Sequence, residues 1–186
     1  QLEALTEASE FLDQNGIRHM VIGGIANAVW GRPRATRDAG FKVLLDERTS
    51  GELASIIETR FRFRVRDPDP FARRTYVAPI YASNNIAVDL GSGFLPYEQQ
   101  AVEEAVPVEY LGASFAVAPA EDLIIRKAIS ERDRDWNDIE GILGRDLHFG
   151  LAHAVWASAG AVGAAETLPD HKAACRETRF QYGCGR

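Results

Sequence analysis

Gly23-Gly24, followed by Arg34-Ala35-Thr36-Arg37-Asp38-Ala39-Gly40-Phe41-Lys42-Val43, is the stretch that decides the fold of this chain. Residues 19–22, His-Met-Val-Ile, predict a strand that runs into the glycine pair, and the pair opens a predicted helix. Backbone amides at such a helix start can bind a phosphate. A second strand is predicted directly after Asp38. An Asp-x-Asp metal clamp would need a second aspartate at position 40, where this chain has Gly40, so one ligand is missing.

The elements predicted around this stretch alternate between helices and strands, without repeats or low-complexity segments. Helices are predicted over 2–14, 24–30, 50–59, 96–105, 119–131 and 134–143, and strands over 17–22, 41–45, 75–82, 85–90, 107–110 and 114–117. The two strands 75–82 and 85–90 have the spacing of a hairpin. The pattern predicts an α/β (α+β) fold, a mixed β-sheet flanked by helices, with a C-terminal helical segment.

The chain is expected to divide into a domain over residues 1–145 and a C-terminal tail over 146–186. Residues 151–165 are compatible with a helix, but they are rich in alanine and glycine and show little amphipathic order. Beyond Pro169 no period is evident, and the tail is expected to be helical or irregular. Both cysteines, Cys175 and Cys184, fall there, which argues against a disulfide framework.

Composition limits the class of protein. The 186 residues are 46% hydrophobic and 26% charged, as in an ordinary globular domain. No apolar run approaches the ~20 residues that span a bilayer, and the first residues do not have the pattern of a signal peptide, so no membrane partner and a cytoplasmic location are expected. The net charge of −6 argues against broad, salt-driven coating of nucleic acid.

A local basic segment stands out against the acidic total. Residues 60–66 alternate Arg-Phe-Arg-Phe-Arg-Val-Arg, and Arg73-Arg74 follow shortly after. The alternation predicts a strand with Arg60, Arg62, Arg64 and Arg66 on one face. A solvated face over a core face is the general interpretation. The alternative is a basic strip that steers a phosphate-bearing substrate.

Two aspartates near strand ends are candidate metal ligands. Asp89 ends the predicted strand Asn85-Ile86-Ala87-Val88-Asp89-Leu90 and precedes Gly91-Ser92-Gly93, so it can be a turn former. Together with Asp38 it can instead bind Mg²⁺, which prefers carboxylate and phosphate oxygens.

Charged residues also cluster on the last two predicted helices. Lys127 flanks the apolar stripe of its helix, and the segment Arg132-Asp133-Arg134-Asp135-Trp136-Asn137-Asp138 follows. A helical lysine is most often solvated, and such alternating charges are most often surface ion pairs of little energetic value. The alternative is that Asp135 and Asp138 orient Lys127 or an incoming substrate.

Taken in order, these pieces resemble the nucleotidyltransferase superfamily, in particular minimal bacterial proteins like the AbiE-type toxins of toxin–antitoxin systems. The matching segments are Val21-Ile22-Gly23-Gly24-Ile25-Ala26, Gly31-Arg32-Pro33-Arg34-Ala35-Thr36-Arg37-Asp38, Ile86-Ala87-Val88-Asp89-Leu90, Ala118-Pro119-Ala120-Glu121-Asp122-Leu123-Ile124-Ile125-Arg126-Lys127 and Arg132-Asp133-Arg134-Asp135-Trp136-Asn137-Asp138-Ile139. The resemblance covers residues 15–143. A glycine pair alone is weak evidence, whereas five segments in the right order are fairly specific.

The resemblance implies a nucleotidyltransferase fold that binds a nucleoside triphosphate with Mg²⁺ and transfers a nucleoside monophosphate to an acceptor hydroxyl. The metal ligands would be Asp38 and Asp89, with Asp89 also suited to activating the acceptor hydroxyl. Lys127 would neutralise phosphate charge, so that Asp38, Asp89 and Lys127 form the implied catalytic set. The implied nucleotide-binding residues are Gly23, Gly24, Arg34, Thr36, Lys127, Asp135 and Asp138.

Gly40 departs from the family pattern, which has a second aspartate there. Losing that carboxylate is expected to lower the transfer rate on the order of 10²–10⁴. Glycine at a strand entry can also simply permit a bulge or a close approach. Three functions stay open: a transferase acting on RNA or tRNA, with a cognate antitoxin as partner; a small-molecule transferase of the aminoglycoside-modifying type; or a non-catalytic nucleotide-binding or partner-binding module. The basic strip favours RNA.

Overall fold

The computed structural model describes residues 1–130 and 132–145, and within them it contains seven helices and seven strands. In chain order they are α1 (Leu2–Gln14), β1 (His19–Ile22), α2 (Gly23–Trp30), β2 (Asp38–Leu44), α3 (Ser50–Glu58), β3 (Arg62–Phe63), α4 (Pro68–Thr75), β4 (Val77–Tyr81), β5 (Ala87–Gly93), α5 (Pro96–Glu103), β6 (Val106–Tyr110), β7 (Ala113–Val117), α6 (Ala120–Ser130) and α7 (Asp133–Leu143). Among these helices none combines the length and the apolar character needed to cross a bilayer.

The strands form a single mixed sheet in the order β3-β4-β5-β2-β1-β7-β6. Strand β2 runs parallel to β5 and antiparallel to β1, and β1 runs parallel to β7. Strands β4 and β5 form the predicted hairpin, and β6 and β7 form a second one. The predicted mixed sheet flanked by helices is therefore confirmed.

Alternation along β2 determines which side chains the sheet presents on each face. Phe41 and Val43 are fully buried on one face, together with Leu90 of β5 and Ile80 of β4. Burying side chains of this size contributes about 1.5–3 kcal/mol each. A slip of one residue would move this set to the face that carries Asp38 and Lys42 and bring those polar side chains into the core, so the core fixes the register of the central strands. The polar residues of β2, Asp38 and Lys42 among them, consequently lie on the opposite face.

The predicted strand over residues 60–66 is wrong in most of its length. Only Arg62–Phe63 is a strand, and Pro68 begins helix α4, which the alternation did not indicate. A proline in the first turn of a helix is favourable because its fixed φ suits the helix and its missing amide would have no partner there. Arg60 forms an ion pair with Glu7 of α1, so the four arginines do not share one face in a continuous strip.

The expected division into residues 1–145 and a tail over 146–186 stays a prediction. The tail, with the possible helix over 151–165 and both cysteines, lies outside the described residues.

Candidate active site

The glycine pair joins β1 directly to α2, and each of the two positions requires glycine for a separate geometric reason. Gly23 has a φ of +71°, a left-handed backbone that other residues adopt at a cost. A Cβ on Gly24 would lie 2.7 Å from the Cβ of Thr36, which leaves no room for a side chain. The pair therefore allows a tight strand-to-helix turn with the loop before β2 packed against it, and the backbone amides at the start of α2 form a possible phosphate site.

Thr36 connects this turn to the first candidate metal ligand. Its Oγ1 donates a hydrogen bond to Asp38 Oδ1 at 2.8 Å, while the same side chain covers Gly24. Asp38 is the first residue of β2 and its side chain is exposed. Thr36 thus holds an otherwise exposed carboxylate beside the helix start.

The candidate acids lie on neighbouring strands, and position 40 stands directly opposite one of them. In the parallel pairing of β2 and β5, Gly40 faces Asp89, and Asp38 faces Ala87. Asp38 and Asp89 are therefore diagonal neighbours, a relation that separates Cα atoms by about 7–8 Å. The second aspartate of an Asp-x-Asp motif would project between them. The structure places Asp38 and Asp89 on adjacent strands and on the same face of the sheet, and the position between them holds no side chain.

Nothing in the backbone at Gly40 requires glycine. Its φ lies outside the left-handed region, unlike that of Gly23. A Cβ built at Gly40 would meet Ile22 Cγ1 at 3.3 Å and the Ile22 carbonyl oxygen at 3.6 Å. The closer atom belongs to a side chain, which can move by a few tenths of an ångström. The bulge considered from the sequence is therefore not supported, since Gly40 pairs regularly with both neighbouring strands, and a Cβ at this position requires a small shift of the Ile22 side chain.

Asp89 is paired with Arg64, a contact that the sequence did not indicate. The Arg64 guanidinium donates to Asp89 Oδ1 from the chain that follows β3. Burial raises the pKa of the Asp89 carboxyl, and the charge of Asp38 raises it further, while Arg64 opposes both. Arg64 is thus the cation that balances Asp89, an acid placed next to Asp38.

A second group of charges is buried between α6 and α7. Lys127 Nζ donates to Asp135 Oδ1 at 3.2 Å and to Asp138 Oδ2, and all three side chains are at most 6% exposed. Ser130 and Arg132 also donate to Asp135. The interpretation of these residues as solvated surface charges is therefore wrong, because the two helices pack their charged faces against each other.

Arg34 extends this buried group towards the glycine turn. Its Nε donates to Asp138 Oδ1 at 2.9 Å and its Nη2 donates to Asp138 Oδ2 at 2.9 Å, a bidentate pair. Burial raises the pKa of Asp138, but the hydrogen bonds from Arg34 and Lys127 outweigh it and hold that pKa below its ordinary value. Arg34 therefore fastens the loop that carries Thr36 to helix α7.

A third charge cluster supports the sheet on the same face as Asp38. Lys42 lies two residues beyond Gly40 on β2, and its Nζ pairs with Glu98 of α5 at 2.7 Å. Arg126 of α6 bridges Glu98 and Asp122. Burial lowers the pKa of Lys42 in spite of its hydrogen bond with Glu98. This cluster anchors α5 and α6 to the central strand, which in turn places the neighbouring Lys127.

The predicted site residues thus form two groups rather than one shell. The first contains Gly24, Thr36, Asp38 and Asp89, and the second contains Arg34, Lys127, Asp135 and Asp138. Arg34 and Thr36 belong to the same loop and link the two groups. In the described part of the chain, no three or more His, Cys, Asp or Glu side chains are arranged to hold a metal ion. Two acids, one of them paired with an arginine, do not fit a closed two-metal clamp.

Comparison with known proteins identifies the fold. No protein-family model matches the sequence, and no curated protein matches it. Among solved structures, the antibiotic-resistance factor ANT(2'')-Ia is similar at 17% identity, with a TM-score of 0.57, over 87% of this chain and 92% of that one. The lincosamide antibiotic adenylyltransferase LnuA is 10% identical with a TM-score of 0.53, over 76% of this chain and 96% of that one.

A third solved structure has a similar fold. An antigenic nucleotidyltransferase-like protein from Paracoccidioides brasiliensis is 14% identical with a TM-score of 0.51, over 88% of both chains. At these identities the similarity concerns the fold. The chain has a nucleotidyltransferase fold, as the order of sequence segments predicted.

Proposed function

We propose that this chain binds a nucleoside triphosphate at the start of α2, and that its transfer of the nucleoside monophosphate to an acceptor hydroxyl is weak or absent. The observation that carries the proposal is the register of the central strands, in which Gly40 faces Asp89. The acid pair and its scaffold are present, while the position between them lacks a carboxylate. Phosphoryl-transfer catalysis rests almost entirely on positioning and electrostatics, so a missing charge at this point is costly.

The roles proposed for the polar residues follow from their contacts. The amides at Gly23 and Gly24 would bind phosphate oxygens, and Thr36 would hold Asp38 beside them. Asp89 would accept the proton of the acceptor hydroxyl. Mg²⁺, if bound, would be held by Asp38 and Asp89, and the shortage of a third carboxylate is the reason to expect little transfer.

Lys127 was predicted to neutralise phosphate charge. Its Nζ pairs with both Asp135 and Asp138, which supports a positioning role. Lys127 holds Asp138, and Asp138 in turn holds Arg34 in the loop before β2. Of the two cations that pair with Asp138, Arg34 is the more exposed, with 34% of its side chain exposed against 6% for Lys127.

Nucleotide binding is tested by calorimetry with ATP, CTP, GTP and UTP, each with and without Mg²⁺. The proposal expects at least one nucleotide to bind the chain. Absence of binding for all four under both conditions contradicts it. Binding without any incorporation in the restored variant described next would identify a non-catalytic nucleotide-binding module.

Transfer is tested by restoring the missing carboxylate. Gly40→Asp is expected to increase Mg²⁺-dependent incorporation of labelled nucleotide on the order of 10²–10⁴, because it adds a charge at the reacting phosphates. Gly40→Asn is the matched control, since it has nearly the same size without the charge, and it is expected to give no gain. An equal gain in both variants, or none in the aspartate variant, would contradict the assigned role of position 40.

The acceptor class has two candidates. RNA, such as the end of a tRNA, is favoured by the exposed arginines that follow β3, and with it the proposal of an AbiE-type toxin that has a cognate antitoxin. These arginines do not form a continuous basic strip, because Arg60 pairs with Glu7 and Arg64 pairs with Asp89. A small cationic acceptor is favoured by the net charge of −6 and by the antibiotic-modifying neighbours. Incubating the Gly40→Asp variant with total RNA and, separately, with aminoglycosides distinguishes the two by where the label appears.

A further inference from the structure

Arg64 reaches Asp89 across an intervening strand. The Arg64 amide donates to the Pro79 carbonyl at 2.9 Å, and Pro79 of β4 pairs with Asp89 of β5. Strands in a sheet are about 4.8 Å apart, so the Arg64 backbone lies roughly 10 Å from that of Asp89. Only a long side chain can span this distance. The contact is thus a specific feature of the sheet face and requires an extended arginine.

Together with Gly40, these residues form one transverse row on the candidate site. The row reads Gly40 of β2, Asp89 of β5, Pro79 of β4 and then Arg64, which directly follows β3. On one side of Asp89 an expected acid is missing, and on the other side an arginine is present. The net charge of the row is zero, whereas an aspartate at position 40 and no arginine would make it −2.

Two other cations on this face, Lys42 and Arg62, have partners of their own. Lys42 pairs with Glu98 and also donates to the Ser92 carbonyl. Arg62, one register step from Arg64, stacks over the Tyr81 ring at 4.9 Å and donates to Asn85. Within residues 1–130 and 132–145, Arg64 is the cation that forms an ion pair with Asp89.

We propose that Arg64 is a built-in counter-ion of Asp89 that competes with divalent cations for this carboxylate, so that Gly40 and Arg64 together set the metal affinity of the face. The inference rests on the proposed function for the assignment of Asp38 and Asp89 as metal ligands. A divalent ion at Asp89 must displace the guanidinium and then lie close to its positive charge. Both effects weaken metal binding, and both disappear when Arg64 is replaced by a neutral side chain.

The competition is measured by titrating the full chain with Mn²⁺ in the absence of nucleotide, following the electron paramagnetic resonance signal of free Mn²⁺. Arg64→Gln is expected to tighten Mn²⁺ binding about 3- to 10-fold, the size expected for one partly screened charge near a divalent ion. Arg62→Gln is the matched control, since it removes the same charge one register step away from Arg64, at a residue that does not pair with Asp89. It is expected to change the affinity less than about 2-fold.

The coupling to position 40 gives a second measurement. Gly40→Asp combined with Arg64→Gln is expected to bind Mn²⁺ more tightly than Gly40→Asp alone, by at least the factor seen for Arg64→Gln. If the Mn²⁺ affinity of the unsubstituted chain is too low to measure, the comparison of these two variants tests whether Arg64 weakens Mn²⁺ binding. Thermal unfolding of each variant identifies any that has lost its fold.

Two outcomes overturn the inference. The first is an Arg64→Gln variant that binds Mn²⁺ no more tightly than the unsubstituted chain, with the same result in the Gly40→Asp background. The second is an absence of Mn²⁺ binding in the folded double variant at millimolar concentrations. Because the titration contains no nucleotide and measures no transfer, it can succeed while nucleotide binding fails, and the reverse, so the two proposals are tested separately.

Discussion

The charge cluster between α6 and α7 and the transverse row on the sheet face use the same chemistry in opposite ways. In the cluster, Lys127 is 6% exposed and each aspartate has several donors. In the row, Asp89 has one cationic partner and its side chain is 37% exposed, while Gly40 has no side chain to interact with it. Buried charges must be fully paired, whereas exposed charges can exchange a partner for water or a ligand.

The difference separates residues that hold the fold from residues that we propose take part in chemistry. Removing one member of the buried cluster strands a charge, so the cluster tolerates little change. The lack of a carboxylate at position 40 costs the fold little, because Asp89 is partly exposed and its charge is balanced by Arg64. A chain can therefore have glycine at position 40 and keep its framework intact.

The largest effect on stability is expected for Asp138→Asn, which breaks the buried cluster. Lys127 would keep Asp135 but lose its second acid, and Arg34 would lose its bidentate partner. We expect the free energy of unfolding to fall by about 3 kcal/mol, measured by urea denaturation. Glu140→Gln, an exposed change on the same helix, is the control and is expected to change it by less than about 0.5 kcal/mol.

The matched change in the open row is Asp89→Asn. It removes a carboxylate whose pKa is raised by burial and by Asp38, and it costs only a partly exposed pair with Arg64. Its effect is expected to stay below about 0.5 kcal/mol. Equal destabilisation by Asp138→Asn and Asp89→Asn would remove the distinction between the two regions.

Part of the pH dependence of stability is expected to come from the cluster, beside other carboxyl groups with lowered pKa values such as Glu98. Burial raises the pKa values of Asp135 and Asp138, but hydrogen bonds from Lys127 and its neighbours outweigh it and hold both below the ordinary value. The unfolded chain therefore takes up these protons at higher pH than the folded chain. The stabilisation is complete above about pH 4 and is lost as the pH falls through the folded-state pKa values.

Urea midpoints measured from about pH 6 to about pH 3 check this sign. The unsubstituted chain is expected to lose stability with falling pH more steeply than Asp138→Asn, which already lacks one of the two groups. Curves that run parallel would show that Asp138 does not contribute to the acid sensitivity.

Substitutions at the glycines of the candidate site are expected to separate a position that requires glycine from one that tolerates a side chain. Gly24→Ala places a Cβ against Thr36 and is expected to lower the free energy of unfolding by about 1–3 kcal/mol. Gly40→Ala meets only the movable Ile22 side chain and is expected to stay within about 1 kcal/mol of the original. Thermal unfolding measures both. A larger loss for Gly40→Ala would mean that position 40 is glycine for a structural reason.

Much of the fold was predictable because local patterns agree with the tertiary contacts. The strand before Gly23, the strand after Asp38 and the hairpin of β4 and β5 all follow from alternation and turn residues. The segment 60–66 failed because a period of two also suits a short strand that leads into a turn. There the proline at position 68 was the better signal, since it favours a helix start.

The sequence indicated the candidate site residues, but it did not indicate the side chains with which they pair. The candidate ligands Asp38 and Asp89 were identified from strand ends and from the resemblance, and they lie on adjacent strands. The burial of Lys127 was missed, because a helical lysine beside an apolar stripe gives no sign of the acidic helix that packs on it. The pair of Arg64 and Asp89 joins residues 25 positions apart and was missed for the same reason.

The sequence by itself determined that this chain has a glycine pair between a strand and a helix, two candidate acids and a glycine at position 40. These are local facts, since each is carried by a residue type at a known place in a strand or a turn. Only the tertiary structure decided that Gly40 faces Asp89, that Arg64 occupies the other side of that acid, and that Lys127 is enclosed by two aspartates. Each of these depends on strand register and helix packing, which the buried core sets, and no local pattern specifies which distant charges the core brings together.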